Sequence, residues 1–292
     1  MIRRLVPAMF GAVVVSVLLS RCSLLVSLDD LQPADATSTD TATNVDAGAD
    51  AQTTDAEAGT DAAESDGCPD GGGPVMVPVQ SACIDSTEVT CGQYAAFLAT
   101  GPLLSSQPAV CAWNTSFVPA LGWPCTDENL PVANVNWCHA YSFCAWAGKH
   151  LCGGVGGGPV ADGGVIVATE DAWFLACTHG GTRLFPYGNA YDAGACNGVD
   201  RDAGGPVDVA SLPGCEGGYT GLFDMSGNVV EWQDACISSD AGAAHDLCVA
   251  GGGSYANLHI LETGEEQAEC QNFDTVARNA PAPHRGFRCC AP

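Results

Sequence analysis

Positively charged residues are scarce in this chain of 292 residues, which has nine Lys and Arg against 34 Asp and Glu and a formal net charge of −25. Between Arg21 and Lys149 neither Lys nor Arg occurs. A nucleic-acid surface needs clustered cations against phosphate, so this composition excludes nucleic-acid binding. It also excludes charge-driven binding to anionic lipid, whereas an acidic protein attracts cations such as calcium.

Three common kinds of site are missing as well. No Cys pair has the C-x-x-C spacing of a structural zinc site. The glycine-rich stretch 153–164 contains no Gly-Lys-Ser/Thr, so it is not a phosphate-binding loop for nucleotides. Met225-Ser226-Gly227 lacks the earlier glycine of a nucleophile elbow, which argues against a serine hydrolase.

The first residues predict an export signal. Arg3 and Arg4 precede an apolar stretch from residue 5 to 19, which is too short for a comfortable membrane span. Leu19-Ser20-Arg21-Cys22 is similar to a bacterial lipobox, in which the Cys becomes the lipidated N-terminus, although Arg21 departs from the small residue expected there. An uncleaved N-terminal anchor is the alternative. Both interpretations place the rest of the chain outside the cytosol, facing the periplasm or the cell surface.

Composition divides the chain into an export signal (1–22), a spacer (23–67) and one domain (68–292). The spacer is rich in Ala, Asp and Thr, and such a segment cannot bury enough apolar surface to offset its ordering entropy, so we expect disorder. The domain contains all six Trp and all six Tyr, and we expect it to be monomeric. Of the 17 Cys, all but Cys22 lie between Cys68 and Cys290, which predicts a disulfide framework with pairing left open.

Three helices are predicted within the domain. Thr90 and Gln93 have the spacing of a capping box at the start of the first. Asn136 caps a second helix over residues 137–147, which Gly148 ends. Residues 169–177 predict a third helix with acidic residues in its first turn, where the helix dipole favours them.

Seven different sequence blocks occur, once each, along the domain. In chain order they are Cys83-Ile-Asp-Ser-Thr-Glu-Val-Thr90, Leu130-Pro-Val-Ala-Asn-Val-Asn-Trp137, Thr169-Glu-Asp-Ala-Trp173, Phe185-Pro-Tyr-Gly-Asn189, Gly221-Leu-Phe-Asp-Met-Ser-Gly-Asn-Val-Val-Glu-Trp232, Gly252-Gly-Ser-Tyr255 and Gly286-Phe-Arg-Cys289. Together they resemble the formylglycine-generating enzyme family, the sulfatase-modifying factors. The resemblance implies an irregular α+β fold related to C-type lectins, with few short helices and strands and long loops.

Calcium is the cofactor that the resemblance implies. Asp224 and Glu231, with the carbonyls of Gly227 and Val229, match one structural calcium site of the family, and Ca²⁺ prefers such mixed oxygen ligands. A second family site would use the residues of the neighbouring loop, namely Asn197, the carbonyl of Gly198, and either Asp202 or Asp200.

A copper site is not expected. Active members of the family bind Cu(I) through two Cys, and Cys270 matches the second of these positions. The first position is Glu265, and a hard carboxylate is a poor ligand for Cu(I). Cys270 would therefore be catalytic only if the enzyme is active, and a disulfide between Cys270 and Cys248 is the simpler interpretation.

The sequence therefore favours a non-catalytic family member. We expect an exported, lipid-anchored domain whose loops, fixed by calcium and disulfides, bind a protein or a glycan. One alternative is an oxidase that converts a sulfatase cysteine to formylglycine. Another is a nonheme-iron modifying enzyme that uses His259 with Glu262 or Glu265.

Overall fold

A computed structural model describes residues 67–160, 167–256 and 262–292. The predicted export signal with Cys22, the predicted spacer except for Gly67, and His259 lie outside these ranges, so the zone boundaries at residues 22 and 67 stay predictions. Within the described ranges, no helix is both long enough and apolar enough to cross a membrane.

Short helices and strands are interspersed along the described ranges, which confirms the predicted α+β class with long connecting loops. The helices are α1 Cys91–Ala99, α2 Trp137–Trp146, α3 Ala172–Cys177 and α4 Gly264–Ala268. The strands are β1 Met76–Val79, β2 Ala82–Asp85, β3 His150–Leu151, β4 Val230–Ile237, β5 Leu247–Gly251, β6 Phe273–Ala277, β7 Arg285–Gly286 and β8 Cys289–Ala291. Short 3-10 helices occur at Leu104–Ser106, Ala109–Cys111, Val199–Arg201, Pro213–Cys215 and Ala243–His245.

The caps predicted from the sequence begin α1 and α2. The Thr90 hydroxyl accepts a hydrogen bond from the Gln93 amide (3.2 Å), and the Gln93 side chain accepts one from the Thr90 amide (2.8 Å), which confirms the capping box. The Asn136 side chain accepts from the His139 amide at 3.0 Å. The chain leaves α2 at Gly148, whose φ of 76° lies in the left-handed region that favours glycine.

The third helix begins later than predicted. Asp171 has an extended backbone and forms an isolated bridge with Gly154, a long-range contact that no local pattern reveals. Its side chain accepts a hydrogen bond from the Phe174 amide at 2.7 Å, so Asp171 is the N-cap of α3. Thr169 and Glu170 precede the helix, and the predicted acidic first turn is wrong.

Two four-stranded sheets organise the described ranges. The first has the order β1-β2-β8-β3 and is antiparallel; the second has the order β6-β5-β4-β7, with β4 and β7 parallel. The chain leaves the second sheet at Gly286 and enters the first at Cys289. Phe287 and Arg288 therefore connect the two sheets, and both side chains are fully buried.

Eight disulfides use every Cys from Cys68 to Cys290, which confirms the predicted framework. Three of them tie residues more than ninety positions apart in the chain: Cys144–Cys289, Cys152–Cys290 and Cys177–Cys270. The other five are Cys68–Cys83, Cys91–Cys125, Cys111–Cys138, Cys196–Cys215 and Cys236–Cys248. Cross-links of this density stabilise a fold with little regular secondary structure by restricting the unfolded chain.

Candidate functional site

A fully buried arginine lies at the centre of the described domain. The Arg288 guanidinium donates to both carboxylate oxygens of Glu231, at 2.7 and 2.8 Å, in a bidentate pair. It also donates to the carbonyls of Asp85 and Phe223, both at 2.9 Å. Trp173 adds a hydrogen bond from its indole nitrogen to Glu231 at 2.8 Å. Such complete pairing is what a buried charge needs, because an unpaired one would carry a large desolvation cost.

A second buried ion pair lies beside the first. Lys149 donates to the Asp85 carboxylate at 2.6 Å and to the Pro74 carbonyl at 2.7 Å. The other Asp85 oxygen accepts from the Cys289 amide at 2.8 Å. Burial raises the pKa of Asp85 to about 6, although Lys149 opposes that shift. The pair joins β2 to the residue directly before β3 and to β8.

Glu88 is the unpaired member of this charged centre. It is fully buried, and neither of its carboxylate oxygens has a hydrogen-bond partner among the described residues. Burial raises its pKa well above the usual range, and the charges of Asp224 and Glu231 raise it further. Sequence reasoning did not single out Glu88. The polar sequence from Asp85 to Thr90 gives no local signal that Glu88 is buried, because the acidic residues near it come from β4 and the turn before it.

The tight turn before β4 carries the first predicted calcium set. Asp224, Gly227 and Asn228 all have positive φ, at 59°, 77° and 54°. A side chain at Gly227 would meet the Asn197 backbone at 2.7 Å, so only glycine fits there. The Asp224 carboxylate accepts from the Ala210 amide at 2.6 Å, and burial raises its pKa to about 6.

The predicted ligands of this set therefore lie in one neighbourhood. Asp224, Gly227, Val229 and Glu231 follow one another through the turn into β4, and the nearby charge of Glu231 helps to raise the pKa of Asp224. Glu231 already accepts from Arg288 and Trp173. Among the described residues no three or more His, Cys, Asp or Glu are grouped so as to hold a metal ion. A calcium ion here would therefore depend on backbone carbonyls as well as carboxylates.

The second predicted set begins at a buried amide. The Asn197 side chain donates to the Gly205 carbonyl at 3.1 Å and to the Asn228 side chain at 3.2 Å. The side-chain oxygen of Asn197 is buried and has no partner within the described ranges. Gly198 immediately precedes the 3-10 helix Val199–Arg201. A buried amide oxygen of this kind has the chemistry of a hard-cation ligand.

The two acidic candidates for that second set lie at the surface. Asp202 is exposed and ends the 3-10 helix in the left-handed conformation, with φ of 53°. Asp200 is also exposed and accepts a hydrogen bond from the Tyr191 hydroxyl at 2.7 Å. The structure thus buries Asn197 and leaves both partner carboxylates toward solvent.

Cys270 is fully buried and bonded to Cys177, at the end of α3. The predicted pairing of Cys270 with Cys248 is wrong, because Cys248 bonds to Cys236. These two face each other in register on the antiparallel strands β4 and β5, with a Cα–Cα distance of 4.0 Å. Glu265, at the other copper position, is exposed in the first turn of α4.

The geometry defines a class of protein: an α+β domain cross-linked by disulfides around the buried Arg288–Glu231 pair. A disulfide content of this kind is typical of exported proteins. The chain belongs to the sulfatase-modifying factor family, since the model of the sulfatase-modifying factor enzyme 1-like domain matches residues 29–291. The resemblance drawn from the seven sequence blocks is therefore confirmed.

Three relatives of known name are similar to this chain in sequence. The chain is 28% identical over 188 residues to the formylglycine-generating enzyme of Mus musculus, covering 56% of this chain and 45% of the relative. It is also 28% identical over 176 residues to the mouse inactive C-alpha-formylglycine-generating enzyme 2, covering 55% and 48%. The formylglycine-generating enzyme of Thermomonospora curvata is 26% identical over 281 residues, covering 76% and 86%. The chain spans about half the length of the two mouse relatives.

Proposed function

We propose that this chain is an exported, lipid-anchored member of the family that lacks the copper oxidase site and acts as a calcium-stabilised module binding a protein or glycan. One observation carries the proposal. Cys270 is held in a buried disulfide with Cys177, and the position expected to supply the other thiolate is Glu265 on the surface. A relative named as inactive is among those the chain resembles.

The chemistry of Cu(I) supports this interpretation. Cu(I) prefers soft thiolate ligands, and a disulfide sulfur is neither a thiolate nor a nucleophile. All Cys from Cys68 onward are paired, so a thiolate pair would require reduction of a structural bridge. The oxidase alternative, favoured by family membership, needs Cys270 as a free thiol.

A thiol count with copper titration tests the proposal. The purified protein, denatured without reductant, should show no reactive thiol in the domain, and anaerobic Cu(I) titration should show no stoichiometric tight site. The protein should consume no oxygen when a Cys-containing sulfatase peptide is added. A free Cys270 together with one tight Cu(I) and oxygen consumption would establish the oxidase instead.

Calcium is proposed to stabilise the loops around the buried centre. Asp224 and Glu231 would hold it with the carbonyls of Gly227 and Val229, ligands of the kind that calcium prefers. Glu88 is a further buried carboxyl near both acids and has no hydrogen-bond partner among the described residues, and the Glu88→Gln variant below decides whether it is a ligand or a neutral acid. Asn197 and the Gly198 carbonyl, with Asp202 or Asp200, are the corresponding proposal for a second ion.

Thermal unfolding with calcium and with chelator tests this role. Calcium should raise the Tm, because a ligand that binds only the folded state stabilises it by mass action. Asp224→Ala should remove that increase, whereas Asp240→Ala, at an exposed position, should keep it. Equal Tm values with calcium and with chelator in the parent protein would refute the proposal.

The variant Glu88→Gln distinguishes two roles for Glu88, a calcium ligand and a buried, protonated carboxyl. Glutamine resembles a protonated glutamate, so the variant should fold normally without calcium. If Glu88 is a ligand, the calcium-induced increase in Tm should shrink, because an amide is a weaker ligand than a carboxylate.

Anchoring is tested separately: Cys22→Ser should move the protein out of the membrane fraction.

A further inference from the structure

One region of this acidic domain has almost no charge. From Val89 to Thr126, and again from residue 129 to 148, the sequence contains no Asp, Glu, Lys or Arg. We call these two stretches the uncharged region. It comprises α1, α2 and the loop between them apart from the exposed Asp127 and Glu128, and the disulfides Cys91–Cys125 and Cys111–Cys138 fasten that loop to both helices. Stretches of this length without a charged residue are unusual in a chain whose net charge is −25.

A pocket of about 290 Å³ opens between the two helices and this loop. Its apolar walls include Phe97, Phe117 and Trp146, and none of its lining residues carries a formal charge. The Phe97 ring packs against Phe117 at 5.5 Å and Trp146 at 5.6 Å between centroids. These contacts hold the aromatic walls in place before any ligand arrives.

A hydroxyl group in this pocket lacks a partner. Ser142 lines the pocket, and its Oγ is buried without a hydrogen bond to any described residue. A buried polar atom left unpaired is unfavourable, so it marks a place where a partner group from outside would be accepted. A ligand that fills the pocket and hydrogen-bonds Ser142 would satisfy both features.

Exposed apolar side chains adjoin the lining residues of the pocket. Leu103 is 69% exposed and Leu104 is 43% exposed, and both lie between the lining residues Pro102 and Ser106. Trp146, at the pocket itself, is 39% exposed. Exposed hydrophobic side chains gathered around a pocket are typical of a protein–protein contact with one anchoring side chain.

We propose that this pocket receives an aromatic or leucine side chain from an uncharged segment of a protein partner, whose backbone hydrogen-bonds Ser142. The lining offers no cation for an anionic ligand and no carboxylate for a cationic one. The volume is about twice that of a cavity that holds benzene, enough for one large side chain and adjoining backbone.

The inference rests on the proposed binding role and narrows it to one surface and one partner class. It involves neither Cys270 nor the calcium ligands. The thiol and copper measurements therefore decide the loss of oxidase chemistry, and the measurements below decide the pocket, so either can fail alone.

Saturation-transfer NMR on the full chain tests the pocket with N-acetyl-L-phenylalaninamide, an uncharged mimic of such a side chain and its backbone. We expect binding in the millimolar range, as for small ligands of this size. Ala145→Phe, at an exposed pocket-lining position on α2, should weaken it by about tenfold or more, the effect of losing a filled pocket. Ala241→Phe, the same substitution at an exposed position elsewhere, should leave it unchanged.

Charged and saccharide probes complete the experiment. N-acetyl-L-lysinamide and N-acetylglucosamine should give no signal that Ala145→Phe abolishes. Binding of N-acetylglucosamine that Ala145→Phe abolishes would assign the pocket to glycans and overturn the proposal. The absence of any N-acetyl-L-phenylalaninamide signal, or equal signals in both variants, would also overturn it. Unchanged Tm values for the two variants establish that each is folded.

Discussion

The buried centre and the uncharged region use polar chemistry in opposite ways. The centre places Arg288, Lys149, Glu231, Asp85 and Glu88 in the interior. The uncharged region, by contrast, has no formal charge in its two stretches and leaves Leu103, Leu104 and Trp146 exposed. In most domains charged side chains lie at the surface and large apolar side chains are buried. The centre departs from this by burying charged side chains, and the uncharged region departs from it by exposing apolar ones.

The difference indicates separate roles. Buried ion pairs are weak evidence of stability, since apolar replacements are often as stable, but they fix geometry where long loops meet. Here they fix the junction of the two sheets through Phe287 and Arg288. An exposed apolar surface does little for stability and is suited to recognition. Changes in the centre should therefore affect folding, and changes in the uncharged region should affect binding.

The largest expected effect comes from Arg288→Met. It leaves Glu231 buried without its cation, and breaking a buried pair on one side costs about 3–5 kcal/mol. Urea unfolding should show a loss of that size, or no folded protein. Arg201→Met, at an exposed arginine, should change the unfolding free energy by less than about 0.5 kcal/mol. A loss below about 1 kcal/mol for Arg288→Met would contradict the role given to the centre.

The next largest effect should come from removing a disulfide, either the one at the end of α3, whose Trp173 contacts the centre, or one in the uncharged region. The double variant Cys177→Ala/Cys270→Ala opens a link between residues 93 positions apart, and Cys111→Ala/Cys138→Ala opens one of 27. Both should lose about 2–4 kcal/mol in urea unfolding, the first more than the second, because longer loops restrict the unfolded chain more. Only the second should weaken N-acetyl-L-phenylalaninamide binding. Equal losses of N-acetyl-L-phenylalaninamide binding in the two double variants would contradict the separate roles given to the two regions.

Stability should fall as pH rises, and Asp171 should contribute. Burial raises the pKa of its carboxyl from 3.8 to about 7. Between these values the folded state keeps a proton that the unfolded chain releases, so the unfolding free energy falls by about 1.4 kcal/mol per pH unit for one such group. Asp171→Asn keeps an oxygen for the Phe174 amide and should flatten the fall between pH 5 and 7.

Urea unfolding across that pH range measures this effect. Asp85 and Asp224, whose pKa burial raises to about 6, act with the same sign and should leave part of the fall in the Asp171→Asn variant. The exposed Asp240→Asn should leave the whole curve unchanged. A parent protein that becomes more stable from pH 5 to 7 would contradict the assignment.

The smallest expected effect is on the pocket itself. Its lining has no formal charge, and burial lowers the pKa of the nearby His139 to about 4, so that side chain stays neutral. Binding of N-acetyl-L-phenylalaninamide should therefore be nearly constant from pH 5 to 8 and from low to high salt. A strong dependence on either would show that charged groups of the centre reach the pocket.

Local signals in the sequence predicted the features that depend on neighbouring residues. Thr90 with Gln93 and Asn136 with His139 are capping contacts within one turn, so the starts of α1 and α2 follow from the sequence. The disulfide framework followed from the count and export context, and the α+β class and family followed from ordered sequence blocks. The start of α3 did not, because a bridge between Asp171 and Gly154 sets it.

Contacts between distant residues were decided only by the tertiary structure. The pairing of Cys248 with Cys236 depends on the register of β4 and β5, and that of Cys270 with Cys177 depends on where α3 ends. The position of Glu88 beside Asp224 and Glu231 likewise has no local signal. A sequence specifies short-range geometry directly through hydrogen bonds within a turn, whereas long-range partners are fixed by packing of the whole domain, which sums many weak contacts at once.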